Sequence, residues 1–209
     1  RVLQDTAAQV KRVSLELGGK NPNIVLDDAD LDTAVMWSAM GAFSNSGQVC
    51  VCGSRILVQR GIYEEFRNRL VAEAKSREVG DPLLESTAMG PVVGEDHYNK
   101  IWGYIDNAIS SGEGELLAGG QRYKDDLRAG GWYVPPTVFG DVASSCTIAK
   151  EEIFGPVVTL TPVDTLDEAL AIANDTKYGL ASGIFTSSVD SAEKAARELQ
   201  AGQVYINQW

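Results

Sequence analysis

The chain has 209 residues, of which 44% are hydrophobic and 22% charged, enough apolar material for one sizeable globular core. Eighteen Lys and Arg against 29 Asp and Glu give a net charge of −11, a field that repels phosphate and argues against nucleic-acid and anionic-membrane partners. Three cysteines and one histidine are too few for a disulfide scaffold, and no spacing suits zinc.

Along the chain, strand-like and helix-like segments alternate. Val2, Leu3, Ala7 and Val10 suggest a short amphipathic helix. Val13, Leu15 and Leu17 alternate with Ser14 and Glu16, a strand pattern stopped by Gly18-Gly19. Ile24-Val25-Leu26 reads as a short buried strand. Asp30 can cap a helix beginning at Leu31, with Leu31, Val35, Ala39 and Phe43 spaced by four along one face. Polar Ser44 to Gln48 breaks that pattern just before Cys50. Arg55 to Gln59 is a further strand, Tyr63 to Lys75 a helix with Phe66 and Leu70 inward, and Gly80 to Gly90 a loop.

Glu95 to Ser110 follows as a helix carrying Tyr98, Ile101, Ile105 and Ala108. Trp132 to Phe139 and Val157 to Val163 are strand candidates. Asp164 to Ala173 is a helix with Leu166, Ala169 and Leu170 inward. Ser182 to Thr186 is a strand, Ser191 to Gln200 a helix and Gln203 to Ile206 a last strand. This alternation predicts an α/β fold, a mostly parallel twisted sheet flanked by helices. No apolar run reaches bilayer length, and Arg1 to Asp5 shows no basic-then-apolar signal pattern, so a cytoplasmic protein is expected.

Cys50 follows a polar, glycine-bearing loop, where a thiol can be accessible and activated. A free cysteine is more often a small buried hydrophobe, so the local pattern leaves both readings open. A cysteine–histidine hydrolase would need His97, which sits on a helix without any flanking signature. Glu16, opposite three apolar neighbours and next to Gly-Gly, is placed either to border a cleft or to face solvent.

Two strings settle the choice by resemblance. Leu15-Glu16-Leu17-Gly18-Gly19-Lys20-Asn21-Pro22 resembles the glutamate signature of the aldehyde dehydrogenases. Phe43-x-Asn45-x-Gly47-Gln48-x-Cys50, followed by Arg55, resembles their cysteine signature, with Cys50 34 residues after Glu16. Met89-Gly90-Pro91, the stretch from Gly131 to Val138, Lys150-Glu151-Glu152-Ile153-Phe154-Gly155-Pro156, Asn174-x-x-x-Tyr178-Gly179-Leu180 and Gly202-x-Val204-x-Ile206-Asn207 extend the likeness over essentially the whole chain.

The resemblance implies that Cys50 attacks an aldehyde to give a thiohemiacetal, that hydride leaves for NAD or NADP, and that Glu16 activates the water that hydrolyses the thioester or helps deprotonate Cys50. It further implies that Glu152 binds the nicotinamide ribose and that Phe154 packs beside the ring. The presence of Glu16 favours the hydrolytic branch over the CoA-acylating one.

Residues 1–17 would be the tail of a cofactor-binding domain and 18–209 the catalytic domain. The chain does not begin with Met and lacks a glycine-rich phosphate loop, so a fragment is expected, one that retains the cofactor poorly and turns over weakly or not at all by itself. Its partners would be a small-molecule aldehyde and further copies of itself, as a homo-oligomer or through self-association, with no metal bound. The competing readings are a folded but non-catalytic fragment and a cofactor-independent thiol esterase using Cys50.

Overall fold

The computed structural model describes all residues except 126, 127 and 129. The described strands form one seven-stranded sheet in the order β3-β4-β5-β2-β1-β6-β7. The strands are β1 (Pro22–Val25), β2 (Arg55–Gln59), β3 (Glu115–Ala118), β4 (Thr137–Gly140), β5 (Val157–Val163), β6 (Ala181–Phe185) and β7 (Gln203–Ile206). Only the edge pair β3–β4 is antiparallel; every other neighbouring pair is parallel. The helices are α1 (Val2–Ala7), α2 (Leu31–Phe43), α3 (Tyr63–Ser76), α4 (Glu95–Ser111), α5 (Thr147–Lys150), α6 (Leu166–Asn174) and α7 (Val189–Glu198).

Strand periodicity explains why helices cover both faces. Ile24 is in register with Leu57 and Ile184, and Val25 with Val58 and Phe185. Successive side chains point to opposite faces, so the two sets enter different cores. Val25, Ile56, Val58, Leu160 and Phe185 pack under Val35, Ala39, Phe66 and Leu70 of α2 and α3. Ile24, Leu57 and Ile184 pack under Ala169, Leu170 and Ala195 of α6 and α7. A third cluster joins Ile101, Trp102 and Ile105 of α4 to Phe139, Ile148 and Val157. Each such fully buried aliphatic contributes roughly 1.5–3 kcal/mol.

The capping signals work as their chemistry dictates. Asp30 accepts the backbone N–H of Thr33 at 2.8 Å at the start of α2. Ser188 caps α7, which therefore begins at Val189, two residues before the expected Ser191. The helices expected from Tyr63 and Glu95 form, as do the strands 55–59, 157–163 and 203–206, with the expected bounds.

Two expectations fail. Residues 13–17 form no strand and stay irregular. Leu15 and Leu17 are 45% and 68% exposed, because none of the seven strands pairs with this stretch. The strand expected at 132–139 begins only at Thr137, since Pro135 and Pro136 have no N–H to donate to a ladder. The first helix also stops early, at Ala7, and buries none of its residues. Val10 beyond it adopts a φ of 51°.

No described helix is long and apolar enough to cross a membrane.

Candidate active site

The chemistry-bearing loops gather at one end of the parallel sheet. Residues 18–21 lead into β1, 48–54 into β2, 151–156 into β5 and 178–180 into β6. These are the amino ends of the strands, whereas ligands of open α/β sheets usually bind beyond the carboxyl ends.

The segment before Cys50 is built on left-handed backbone. α2 ends at Phe43, and a 3₁₀ turn over Ser44–Gly47 follows, with φ of 51° at Asn45, 56° at Ser46 and 71° at Gly47. Asn45 and Gln48 tie the turn together: Asn45 Nδ2 donates to the Gln48 carbonyl at 3.1 Å, and Gln48 Nε2 donates to the Asn45 carbonyl at 3.2 Å. Ser46 Oγ donates to the Gly90 carbonyl at 2.8 Å, and Gln48 Oε1 accepts the Val93 N–H at 2.9 Å. Gly47 lies against the Gly155 carbonyl, and a Cβ there would collide with it. The cysteine signature is thus a set of turn residues that deliver the chain to Cys50 against the 155–156 loop.

Cys50 is half-buried. Asn21 fixes the loop from below. Its Nδ2 donates to the Cys50 carbonyl at 2.8 Å and the Cys52 carbonyl at 2.9 Å, while its Oδ1 accepts the Ala181 N–H at 3.0 Å. Cys52 is buried, and desolvation pushes its thiol up to about 11, so it stays a protonated packing group at neutral pH. Arg55, the last residue of the signature, is 1% exposed and has a structural role. Its guanidinium donates to the Ile172 and Ala173 carbonyls at 2.8 Å, closing the C-terminal turn of α6.

Glu152 meets this corner from the other side. Its Oε1 accepts the Gly19 N–H at 3.1 Å. The carboxylate lies over Gly18, where any Cβ would strike it, and Gly19 sits so close to the Cys50 carbonyl that a Cβ would approach to 2.7 Å. The Gly-Gly pair therefore serves as the contact plate between the Glu152 loop and the Cys50 loop. Glu152 and Phe154 line a small recess with Gly47, Val49 and Cys52. Phe154 holds a φ of 61° and leaves 37% of its surface exposed. His97 Nε2 lies 2.6 Å from its carbonyl oxygen, and the two rings pack edge to face at 5.9 Å. Lys100 Nζ donates to the Glu152 carbonyl at 3.3 Å.

Beneath Gly19 lies Lys20, 1% exposed, with no hydrogen-bond partner for its Nζ. Burial lowers its pKa to about 7, helped by the nearby Arg55 guanidinium and opposed by Glu152 and Glu151.

Of the four residues marked in the sequence, the fold brings three together: Cys50, Glu152 and Phe154. Glu16 stands apart. It is exposed on the irregular segment, not at a strand end, and among the described residues its side chain has no hydrogen bond or ion pair. Leu15 and Leu17 on either side of it line a groove of about 470 Å³ with Lys177–Leu180. Sequence reasoning gave Lys20 and Asn21 no role beyond their place in the glutamate signature, and passed over Trp209.

Comparison with known proteins gives consistent matches. The model of the aldehyde dehydrogenase family matches residues 1–209. The mitochondrial aldehyde dehydrogenase of Mesocricetus auratus is 48% identical over 201 residues, covering 96% of this chain and 39% of that protein. The Homo sapiens mitochondrial enzyme is 47% identical over 209 residues, covering 99% and 40%. The crystal structure of betaine aldehyde dehydrogenase from Staphylococcus aureus in complex with NAD+ superposes with a TM-score of 0.94 at 40% identity, covering all of this chain and 41% of that one. The chain spans about two fifths of the length of these relatives.

Proposed function

Because this chain belongs to the aldehyde dehydrogenase family, we propose that it supplies the thiol centre for NAD(P)-dependent oxidation of an aldehyde to a carboxylic acid. The observation that carries the reading is the joining of the Cys50 loop and the Glu152 carboxylate across Gly18-Gly19. In this reading residues 18–209 form the catalytic unit. Residues 1–17, which bury no side chain, belong with the cofactor-binding part of the protein.

The Cys50 thiolate attacks the carbonyl carbon and forms a thiohemiacetal. Sulfur suits the task as a strong nucleophile and a good leaving group. The Cys50 backbone N–H is a candidate donor to the developing oxyanion. Glu152 and Phe154 fit a nicotinamide nucleotide chemically: a carboxylate accepts from ribose hydroxyls, and an exposed aromatic ring offers a flat packing surface. That cofactor, when bound, supplies the hydride acceptor. Cys50 then carries a thioester, and Glu16 takes a proton from the water that cleaves it, releasing the acid and regenerating the thiol. For Glu16 to act, its exposed segment must close toward Cys50. A mostly apolar cavity of about 320 Å³, lined by Met40, Val49, Val51, Tyr205 and Trp209, supports an aldehyde with an apolar tail.

We also place the protein in the cytoplasm, where three free thiols are at home. Exposed Val2, Leu3, Leu15 and Leu17 support association between copies.

The test is Cys50→Ala in the intact protein. NAD(P)-linked aldehyde oxidation should fall by at least about a thousandfold, and trapping with substrate should give an acyl adduct on wild-type Cys50 alone. Retained turnover in the variant sinks the proposal. The half-buried thiol also favours a simpler activity, acyl transfer from an activated ester with no cofactor. A p-nitrophenyl acetate burst that is lost on alkylating Cys50 would support it, and an absent burst would favour a non-catalytic scaffold over the esterase.

A further inference from the structure

The three peptide planes that follow Cys50 are all held, and they are held from outside the loop. In the first, the Cys50 carbonyl accepts from Asn21 Nδ2 at 2.8 Å. In the third, the Cys52 carbonyl accepts from the same nitrogen at 2.9 Å, and the Gly53 N–H donates to the Gly41 carbonyl at 3.2 Å. The middle plane is the one Asn21 does not reach. Its Cys52 N–H stays within the loop, donating to the Val49 carbonyl at 3.0 Å, and its Val51 carbonyl accepts from the indole Nε1 of Trp209 at 2.9 Å.

Trp209 comes from far along the chain. β7 runs to Ile206, and Asn207 then turns the chain with a φ of 55°. The Asn207 amide is locked to the end of β6: its Oδ1 accepts the Thr186 N–H and its Nδ2 donates to the Thr186 carbonyl, each at 3.0 Å. This reversal returns Trp209 to the sheet. Its ring enters a slot whose walls are glycine on three elements. A Cβ on Gly41 of α2 would approach the indole to 2.5 Å, one on Gly183 of β6 to 2.7 Å and one on Gly53 of the cysteine loop to 3.0 Å. Tyr205 packs on it with ring centroids 5.6 Å apart. Three glycines at one ring leave space that only this aromatic fills, and they aim its single donor at one carbonyl.

We propose that Trp209 is a positioning residue for the nucleophile, clamping the Val51 carbonyl opposite Asn21 and so fixing the backbone from which the Cys50 thiol projects. The inference rests on Cys50 being the thiol that is acylated. The clamp acts on preorganisation: a thiol held in attack geometry loses little conformational freedom on the way to the transition state. Trp209 and Val51 also line the cavity proposed for the aldehyde tail, so the clamp is read in the rate of acyl formation at saturating ester, where affinity drops out.

Two variants of the intact protein test this. Trp209→Phe keeps an aromatic ring and removes the donor together with part of the ring volume. Gly183→Ala keeps the donor and displaces the ring. Acylation of Cys50 by p-nitrophenyl acetate without cofactor, followed by stopped flow, isolates the step. Both variants should slow the burst by about fivefold, the worth of one ordinary hydrogen bond. The loss should persist at saturating ester, and the midpoint of the pH–rate profile should stay as in wild type. Burst rates within about twofold of wild type in Trp209→Phe, with the fold intact by circular dichroism, overturn the clamp. A loss confined to ester affinity, with the saturating burst rate kept, also overturns it, since a pocket wall and not a clamp would then be at work. A wild-type protein that gives no burst, with Cys50 unreactive to iodoacetamide, overturns the nucleophile reading and the clamp with it.

Discussion

Two regions carry the family's signatures, and they are held in opposite ways. Around Cys50 and Glu152, the side chains of Asn21 and Trp209 hold the Cys50, Val51 and Cys52 carbonyls, and Glu152 holds the Gly19 N–H. Around Glu16, five residues earlier than Asn21 in the same signature, the chain is irregular, Leu15 and Leu17 face solvent, and no described residue bonds the carboxylate. The boundary is Gly18-Gly19, with Glu152 pressed on one side and the Cys50 carbonyl on the other. One signature therefore spans a fixed half and a free half. On the proposed mechanism, the fixed half would serve attack by sulfur, the step that needs geometry, and the free half would bring the base for the later hydrolysis.

The largest effect that divides the two halves comes from Glu16→Gln. Loss of a general base should lower steady-state aldehyde oxidation by about 10²–10⁴-fold. The first turnover should survive, with thioester accumulating on Cys50 and visible by intact mass. A variant with full steady-state activity would remove the free half from the site. A variant with no first turnover would show that Glu16 acts before acylation, as the base that takes the thiol proton.

Next in size is Gly18→Ala, which drives a methyl group into the Glu152 carboxylate. Overpacking of this kind costs about 1–3 kcal/mol. Expressed through Glu152, it should raise the KM for NAD(P) by roughly tenfold while the cofactor-free ester burst stays near wild type. A burst that collapses together with cofactor affinity would mean that the contact plate serves both loops equally.

The same contrast explains what was legible from residues alone. The strands Arg55–Gln59 and Val157–Val163 were bounded correctly, because burial on two sides places adjacent apolar residues at their centres, Ile56-Leu57-Val58 in one and Val157-Val158 with Leu160 in the other. The alternation at 13–17 was equally clear and misled, since alternation states what a strand could bury and not whether a partner ladder exists. β3 was missed because Glu115-Leu-Leu-Ala is short, lies at the sheet edge and is mostly exposed. α5 is a single turn, too short for any period. In the site, Cys50, Glu152 and Phe154 could be read because side-chain identity carries their chemistry. Asn21 and Trp209 could not, because what they bind are backbone carbonyls, which are the same in every sequence.

The smallest effect tests what the fixed half costs. Lys20 is buried at its centre with an unpartnered Nζ, faced by Arg55 and by Glu152 and Glu151. Its folded pKa of about 7 lies below the 10.5 of the free side chain. Between these values the unfolded chain holds a proton that the folded chain has released, so stability rises with pH across that window. Below pH 7 both states are charged and the full penalty for burying the ammonium applies. Above 10.5 both are neutral and the penalty is gone. Lys20→Met, which keeps the stem and removes the charge, should therefore stabilise the protein at pH 6.5 by more than about 1.4 kcal/mol, one pKa unit of linkage. The gain should shrink steadily by pH 9.5, measured by urea unfolding at each pH. A gain that does not change with pH would mean that Met simply packs better and that Lys20 keeps its proton when folded across the whole range tested. A gain that stays level below about pH 7 and shrinks above it would show that the corner joining Cys50 to Glu152 carries a buried positive charge below neutral pH, a cost the free half around Glu16 does not bear.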